Sequence, residues 1–251
     1  MKNQYRMKMV KPDRKINPII PDGQNLIHSL NFNGQMLQDL FVNYLLDIDN
    51  GFFLDIGAGV GGISDCPLEF LSNTCFFEKY RGWSGIGIDH DEFYINKAKD
   101  TRSCTLSCTD LLETNINALL KDLNCPEVVD YLSFDVDDAT EKVLDEIDFD
   151  KYKFKVITFE HNLFQSMDTS GQVHTEEHKQ DIIRFYNKSR EKFKSEGYEI
   201  LCGNVNHPFY GFVEDWYIKP DLLENVDYEY LRCEKKDIGY IVDLIVKKQS
   251  K

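Results

Sequence analysis

A doubly wound α/β sheet with helices on both faces is the fold this sequence predicts, and three observations predict it. Short apolar runs alternate with helix-period segments along most of the chain, and parallel strands need such crossover connections. The first clear run, Phe52–Ile56, opens onto glycines at 57, 59, 61 and 62, at the strand end where open α/β sheets take ligands. Carboxylates at Asp89, Asp110 and Asp135 then stand at or just beyond the ends of the next runs.

Each element follows in turn. Residues 1–33 are polar and broken by Pro12, Pro18 and Pro21, which predicts an N-terminal arm; residues 34–251 predict one domain, without repeat or low-complexity linker. Leu37, Leu40, Phe41, Tyr44, Leu45 and Ile48 recur at steps of three and four, a helix over 35–48 stopped by Asn50-Gly51. After the strand Phe52–Ile56 come Gly85–Asp89, a helix over 91–99 and a weaker strand Ser103–Ser107. A helix over 116–123, the strand Val128–Asp135, a helix over 139–147 and the strand Phe154–Glu160 continue the alternation. Ile182, Ile183, Phe185, Tyr186 and Phe193 mark a long helix over 175–196, followed by a strand Tyr198–Val205. Phe212–Ile218 and Tyr240–Val246 compete for the seventh strand.

Charge narrows the partners. Against 29 Lys and Arg stand 43 Asp and Glu, a net charge of −14, so the average field repels phosphate, and neither nucleic acid nor an anionic membrane is an expected partner. There is no apolar span of membrane length, and no apolar run follows the basic Lys2, Arg6, Lys8 and Lys11; a cytoplasmic protein is expected. The seven cysteines show no CxxC pair, which predicts reduced, mostly buried thiols rather than a disulfide framework or a zinc knuckle.

The sharpest local signal is Asp55-Ile56-Gly57-Ala58-Gly59-Val60-Gly61-Gly62. Glycine lets the backbone turn tightly and a ligand approach without a Cβ in the way. The run also reads GxGxxG from Gly57 to Gly62, so a nicotinamide dinucleotide, and with it an NAD(P)-dependent oxidoreductase, is the alternative. Three features favour S-adenosylmethionine. Asp55, two residues before Gly57, suits a cationic sulfonium and ammonium better than a pyrophosphate. Ser64-Asp65-Cys66-Pro67 displaces the helix N-terminus that would hold a pyrophosphate. Asp89 can accept from ribose hydroxyls and Asp110 from an adenine amino group, with Gly57, Ala58 and Gly59 forming the cradle.

The motifs then form a recognisable series. Phe52-Phe53-Leu54-Asp55-Ile56-Gly57-Ala58-Gly59, Ser72-Asn73-Thr74, Gly82-Trp83-Ser84-Gly85-Ile86-Gly87-Ile88-Asp89 and Tyr131-Leu132-Ser133-Phe134-Asp135-Val136-Asp137 resemble the FkbM-like methyltransferases. Phe149–Phe154, Val156–Asn162, Glu214-Asp215-Trp216-Tyr217 and, on the first helix, Gln38-Asp39-Leu40-Phe41 extend the resemblance over about 35–218. Val60-Gly61-Gly62-Ile63 departs from the more usual acidic continuation of the loop. The resemblance implies a class I methyltransferase sheet, mostly parallel with one antiparallel strand. It also implies O-methyl transfer from S-adenosylmethionine, often to a sugar or glycan hydroxyl. The acceptor would be a carbohydrate or a nucleotide sugar.

An alcohol needs its proton removed or its oxygen polarised before it attacks a methyl group. Asp135, Asp137 and Asp138 follow strand four; Glu160, His161 and Asn162 follow strand five. Asp135, Glu160 and His161 together are similar to the ligand set of metal-dependent sugar and catechol O-methyltransferases. With a histidine ligand, Fe(II) or Mn(II) is favoured over Mg(II). Without metal, His161 or Asp137 is the candidate base, while Asp137 or Asp138 could instead cap a helix. His174-Thr175-Glu176-Glu177-His178 matches the HxxEH pattern of a zinc peptidase but reads better as a solvated helix start. His207 is a candidate border of the acceptor pocket and His90 a candidate ribose contact, and each is equally ordinary as a loop histidine. Trp83 and Trp216 are expected to pack, with Trp216 also a candidate floor for a sugar site. A nucleotide-sensing module without catalysis is a further alternative.

Overall fold

The computed structural model describes residues 32–59, 71–167, 174–207 and 211–249. Of the arm expected over 1–33, all but Phe32 and Asn33 lie outside the described residues, as do Val60, Gly61 and Gly62 of the glycine loop.

Among the described residues eight strands form one sheet: β1 (Phe52–Ile56), β2 (Ser84–Asp89), β3 (Thr105–Cys108), β4 (Val128–Phe134), β5 (Lys153–Glu160), β6 (Glu199–His207), β7 (Gly211–Ile218) and β8 (Cys233–Glu234). Their order is β3-β2-β1-β4-β5-β7-β6-β8. All pairs are parallel except those of β7, which runs against both β5 and β6. The expected fold class, mostly parallel with one antiparallel strand, is the one observed. From β1 the chain first builds outward through β2 and β3, then returns to place β4 on the other side of β1. This reversal leaves a crevice beyond the strand ends, the usual ligand position in such sheets.

The helices are α1 (Gln38–Leu46), α2 (Cys75–Arg81), α3 (Glu92–Ala98), α4 (Ile116–Asp122), α5 (Thr140–Glu146), α6 (Glu176–Ser195) and α7 (Ile238–Gln249). The contest for the seventh strand resolves toward Gly211–Ile218. Tyr240–Val246 lies within α7, because Ile241 and Ile245, four apart, are the fully buried pair and make one helical face. Neither α2 nor the two-residue β8 has a counterpart among the expected elements.

Strand alternation divides the core in two. Phe53, Tyr131, Val156, Trp216 and Ile218 face the side covered by α1, α2 and α7, packing with Phe41, Phe77, Ile241 and Ile245. Leu54, Ile56, Phe134, Phe159 and Tyr217 face the opposite side with Ile116, Leu120, Val143 and Phe193 from α4, α5 and α6. Successive residues of one strand therefore belong to different layers, and this parity decides which site residues can meet.

Candidate functional site

Where β1, β2, β3 and β4 end, Gly57, Gly59, Asp89, Tyr94, Asp110, Asp135 and Asp137 line a cavity of about 520 Å³ together with neighbouring residues. Its floor is the glycine turn. The Gly57 and Ala58 N–H groups both donate to the Ile88 carbonyl, at 2.9 and 3.0 Å, so β1 stays tied to β2 as the chain leaves the sheet. Gly57 has φ +95°, and a Cβ there would overlap the Asp135 carbonyl oxygen. At Gly59 a Cβ would strike the Asp89 carboxylate. The Ala58 methyl lies over Gly87, where a Cβ would come within 3.1 Å of it.

The expected acids divide by position. Asp89 lies at the cavity wall; its Oδ2 accepts from the Gly59 N–H at 2.6 Å and its Oδ1 from the Asp91 N–H at 2.8 Å. Asp110 is also on the wall, its Oδ1 accepting from the Leu112 N–H at 2.8 Å. Asp55 is elsewhere. Its side chain lies beneath the turn, buried, with Oδ2 accepting from the Thr74 hydroxyl at 2.6 Å. Burial raises its pKa, with Arg102 and the Thr74 hydroxyl opposing. Arg102 in turn donates to Ser72, Thr74 and Glu78. Asp55 thus anchors the Ser72–Thr74 turn rather than facing the cavity.

Strand parity brings Asp135 and Glu160 together and turns His161 away. Ser133 and Thr158 are register partners on the α1 side, and the residues two further on, Asp135 and Glu160, continue on that side. Burial raises the Glu160 pKa well above the carboxylate range, and the Asp135 charge and a hydrogen bond to Asp135 push it further. His161 takes the opposite face: its Nδ1 accepts from the Leu163 N–H at 3.1 Å, and its Nε2 lies 3.6 Å from Asp215 Oδ1. The His161 ring meets Tyr186 of α6 edge-on. Among the described residues there is no group of three or more His, Cys, Asp and Glu side chains placed to hold a metal ion. The trio Asp135, Glu160 and His161 does not fit a metal, because consecutive residues at a strand end point to opposite layers.

Asp137 lines the cavity in the left-handed region, at φ 46°. Burial raises its pKa, and the neighbouring Asp135 and Asp138 add to the effect. Asp138 is on the same wall. Neither side chain caps the helix that follows; Asp137 and Asp138 lie in its leading 3₁₀ turn, whose cap makes no side-chain bond.

Two residues matter here that were given no role from sequence. Glu214 is the register partner of Glu160 across β5 and β7, is buried, and has its pKa raised to about 8 by desolvation. Its oxygens accept from Gln38 Nε2 and Trp216 Nε1, both at 2.6 Å. Asp39, on the same helix as Gln38, is raised to about 7 by burial. Both belong to motifs quoted above for their resemblance alone; pairing along the strands was the signal that could have found Glu214.

The remaining candidates settle simply. Trp216 is fully buried, 4.4 Å from the Phe41 ring, and Trp83 stacks on Phe77 at 4.4 Å; both pack. Thr175 caps α6 by accepting from the His178 N–H, and the rings of His174 and His178 stack at 4.7 Å. His90 is 79% exposed, 3.7 Å from Asp89 Oδ1, and the pKa of half-buried His207 is lowered by burial. Among the described residues no helix is long and apolar enough to cross a membrane.

No protein-family model matches the chain, and no curated protein sequence matches it. Solved structures do show similarity. A protein assigned as a caffeoyl-CoA O-methyltransferase from Staphylococcus aureus shares 15% identity, over 78% of this chain and 90% of that one, with a TM-score of 0.49. The precorrin-6y C5,15-methyltransferase of Geobacter metallireducens GS-15 shares 15% identity over 82% and 94%, with a TM-score of 0.43. The plantazolicin methyltransferase BpumL, solved with S-adenosylhomocysteine, shares 15% identity over 72% and 81%, with a TM-score of 0.38.

Proposed function

We propose that this protein is an S-adenosylmethionine-dependent O-methyltransferase acting on a carbohydrate hydroxyl, in a surface glycan or a nucleotide-activated sugar. The observation that carries the reading is the glycine turn at the sheet's switch point, whose missing Cβ atoms leave Asp89, Asp110 and Asp135 around one cavity. An acid-lined cavity suits a cationic sulfonium nucleoside, whereas two phosphates would meet repulsion. Asp89 would hold the ribose and Asp110 the adenine edge, while Gly57, Ala58 and Gly59 admit the ligand. Asp55 acts one layer below, holding the Ser72–Thr74 turn against β1. The carbohydrate acceptor rests on the resemblance of the motifs over about 35–218.

The bound cofactor would supply a methyl group activated on sulfur. The protein's part is alignment and proton removal. Glu160, whose pKa burial raises, hydrogen-bonds with Asp135 and fixes its orientation. Asp135 is then the first candidate to accept the acceptor's proton, with Asp137 the other candidate on the same wall. His161, turned toward Asp215, supports the β5–β7 layer and is assigned no proton transfer.

Thermal-shift titration tests the cofactor directly: S-adenosylhomocysteine should raise the melting temperature and NAD should not. The reverse result would replace the reading with an oxidoreductase. With labelled S-adenosylmethionine and a panel of nucleotide sugars, the wild type should transfer methyl to a hydroxyl. Asp135→Ala should lower turnover at least about 100-fold, the usual scale of a general base, while the cofactor dissociation constant holds. Loss of cofactor binding along with turnover would refute this division of roles.

A further inference from the structure

Beyond the sheet's ligand end, the β6–β8 edge holds a feature that the methyl-transfer reading does not use. Cys202 on β6 and Cys233 on β8 are register partners in a parallel pair. Neighbouring strands lie about 4.8 Å apart, which falls within the Cα separations that a disulfide spans, about 4.4–6.8 Å. Register partners also project their side chains to the same face, which sets the two thiols beside each other. Their surroundings differ. Cys202 is fully buried, with its Sγ 3.4 Å from the Leu231 carbonyl, whereas Cys233 is half-buried on the two-residue edge strand.

We propose that Cys202 and Cys233 are a modification site, a reversible disulfide formed by exchange with a small-molecule disulfide of the glutathione type. Cys233 is the attacking residue. Its place on the edge strand admits the oxidant, and the neighbouring Cys202 side chain lowers its thiol pKa. Burial and the neighbouring Cys233 raise the Cys202 thiol, which makes it the resolving residue. A low-pKa, accessible cysteine beside a buried resolving one is the arrangement of redox-sensing thiols. The surroundings of Cys104 and Cys125 are different: burial pushes both thiols up to about 12.

The chemistry balances in two exchanges. The Cys233 thiolate attacks one sulfur of glutathione disulfide, forming a mixed disulfide and releasing one glutathione thiolate, which takes up the proton Cys233 lost. Cys202 then gives up its proton, attacks the Cys233 sulfur and expels the second glutathione as a thiol. Two protein thiols lose two electrons, and one glutathione disulfide becomes two glutathione molecules. A transient disulfide of this kind accords with a reducing compartment, where such bonds serve sensing rather than bracing.

The test uses the folded full chain in buffers of graded oxidised-to-reduced glutathione ratio, quenched with acid, alkylated and mapped by peptide mass. The expected product is a Cys202–Cys233 linked peptide pair, two hydrogens lighter than the reduced pair and released by dithiothreitol. Cys233→Ser should abolish the link and leave Cys202 reduced. Cys202→Ala should leave glutathione on Cys233. Full alkylation of both residues in wild type under oxidised glutathione would overturn the proposal, as would a link that forms only after unfolding. The measurement is independent of methyl transfer, so either reading can fail without the other.

Discussion

Gly57 shows how much one missing side chain sets. At φ +95°, with the Asp135 carbonyl oxygen where a Cβ would stand, the position is closed to every other residue on two counts. Gly57→Ala should cost at least about 2 kcal/mol in denaturant unfolding and weaken S-adenosylhomocysteine binding in calorimetry. The acids around the site make a second residue-scale prediction. Asp39 and Glu214 titrate near 7 and 8 in the fold, against 3.8 and 4.5 ordinarily, so the native state binds more protons than the unfolded chain. Their stabilising contribution is complete below about pH 4 and is lost as pH rises through 7 to 8. Asp215 works the other way. Against the effect of burial, the nearby His161 ring and the hydrogen bonds from Arg190 lower its pKa, so its contribution is present above 3.8 and lost as pH falls. Unfolding free energy should therefore decline from mildly acid toward alkaline pH, and Glu214→Gln should flatten that decline. An unchanged slope in the variant would show that Glu214 does not set it.

Among the elements, α6 makes the contrast between core and surface plainest. Phe193 is fully buried among Phe149, Phe159, Tyr198 and Tyr217, with ring centroids 4.4–5.9 Å away. Phe193→Ala should cost about 3–5 kcal/mol. On the other face, Arg184 and Lys188 reach across to Glu141 of α5 at 2.8 Å each, and the Glu141 pKa falls to about 2 through those hydrogen bonds. Such exposed pairs are worth little, and Glu141→Ala should cost under about 1 kcal/mol. Denaturant midpoints of the two variants check both figures. The elements also show where sequence reading succeeds. Helix-period residues gave α6 within a residue at each end, and the apolar runs gave β1, β4 and β5 closely. Tyr240–Val246 misled because a short apolar run carries no period of its own; only the burial of Ile241 and Ile245 identifies the helix. β8 was illegible because two residues leave no pattern.

For the whole molecule, the order of strands places acids from distant parts of the chain at one end of one sheet. That Gly57, Gly59, Asp89 and Asp110 line one cavity was readable because the signal is local: a strand, a glycine turn, and an acid at each following strand end. The grouping of Asp135, Glu160 and Glu214 was not, since it comes about through register between three strands. The separation of His161 from Glu160 has the same origin: adjacency in sequence at a strand end means opposite faces in space. Saturating ligand should stabilise the whole fold by mass action, by about 2.7 kcal/mol for S-adenosylhomocysteine at 100 times its dissociation constant. A melting temperature that stays level across such a titration would count against the cavity as its site.

The reversed direction of β7 bears on how this fold could diversify. Because β7 runs against its neighbours, its first residues, Gly211 and Phe212, sit beside His207 and Asn206 at the end of β6, level with the exits of β4 and β5. A graft between His207 and Gly211 would therefore alter the surface beside the exits of β4 and β5. The glycine turn, tied to β2 on the other side of β1, would be left as it stands.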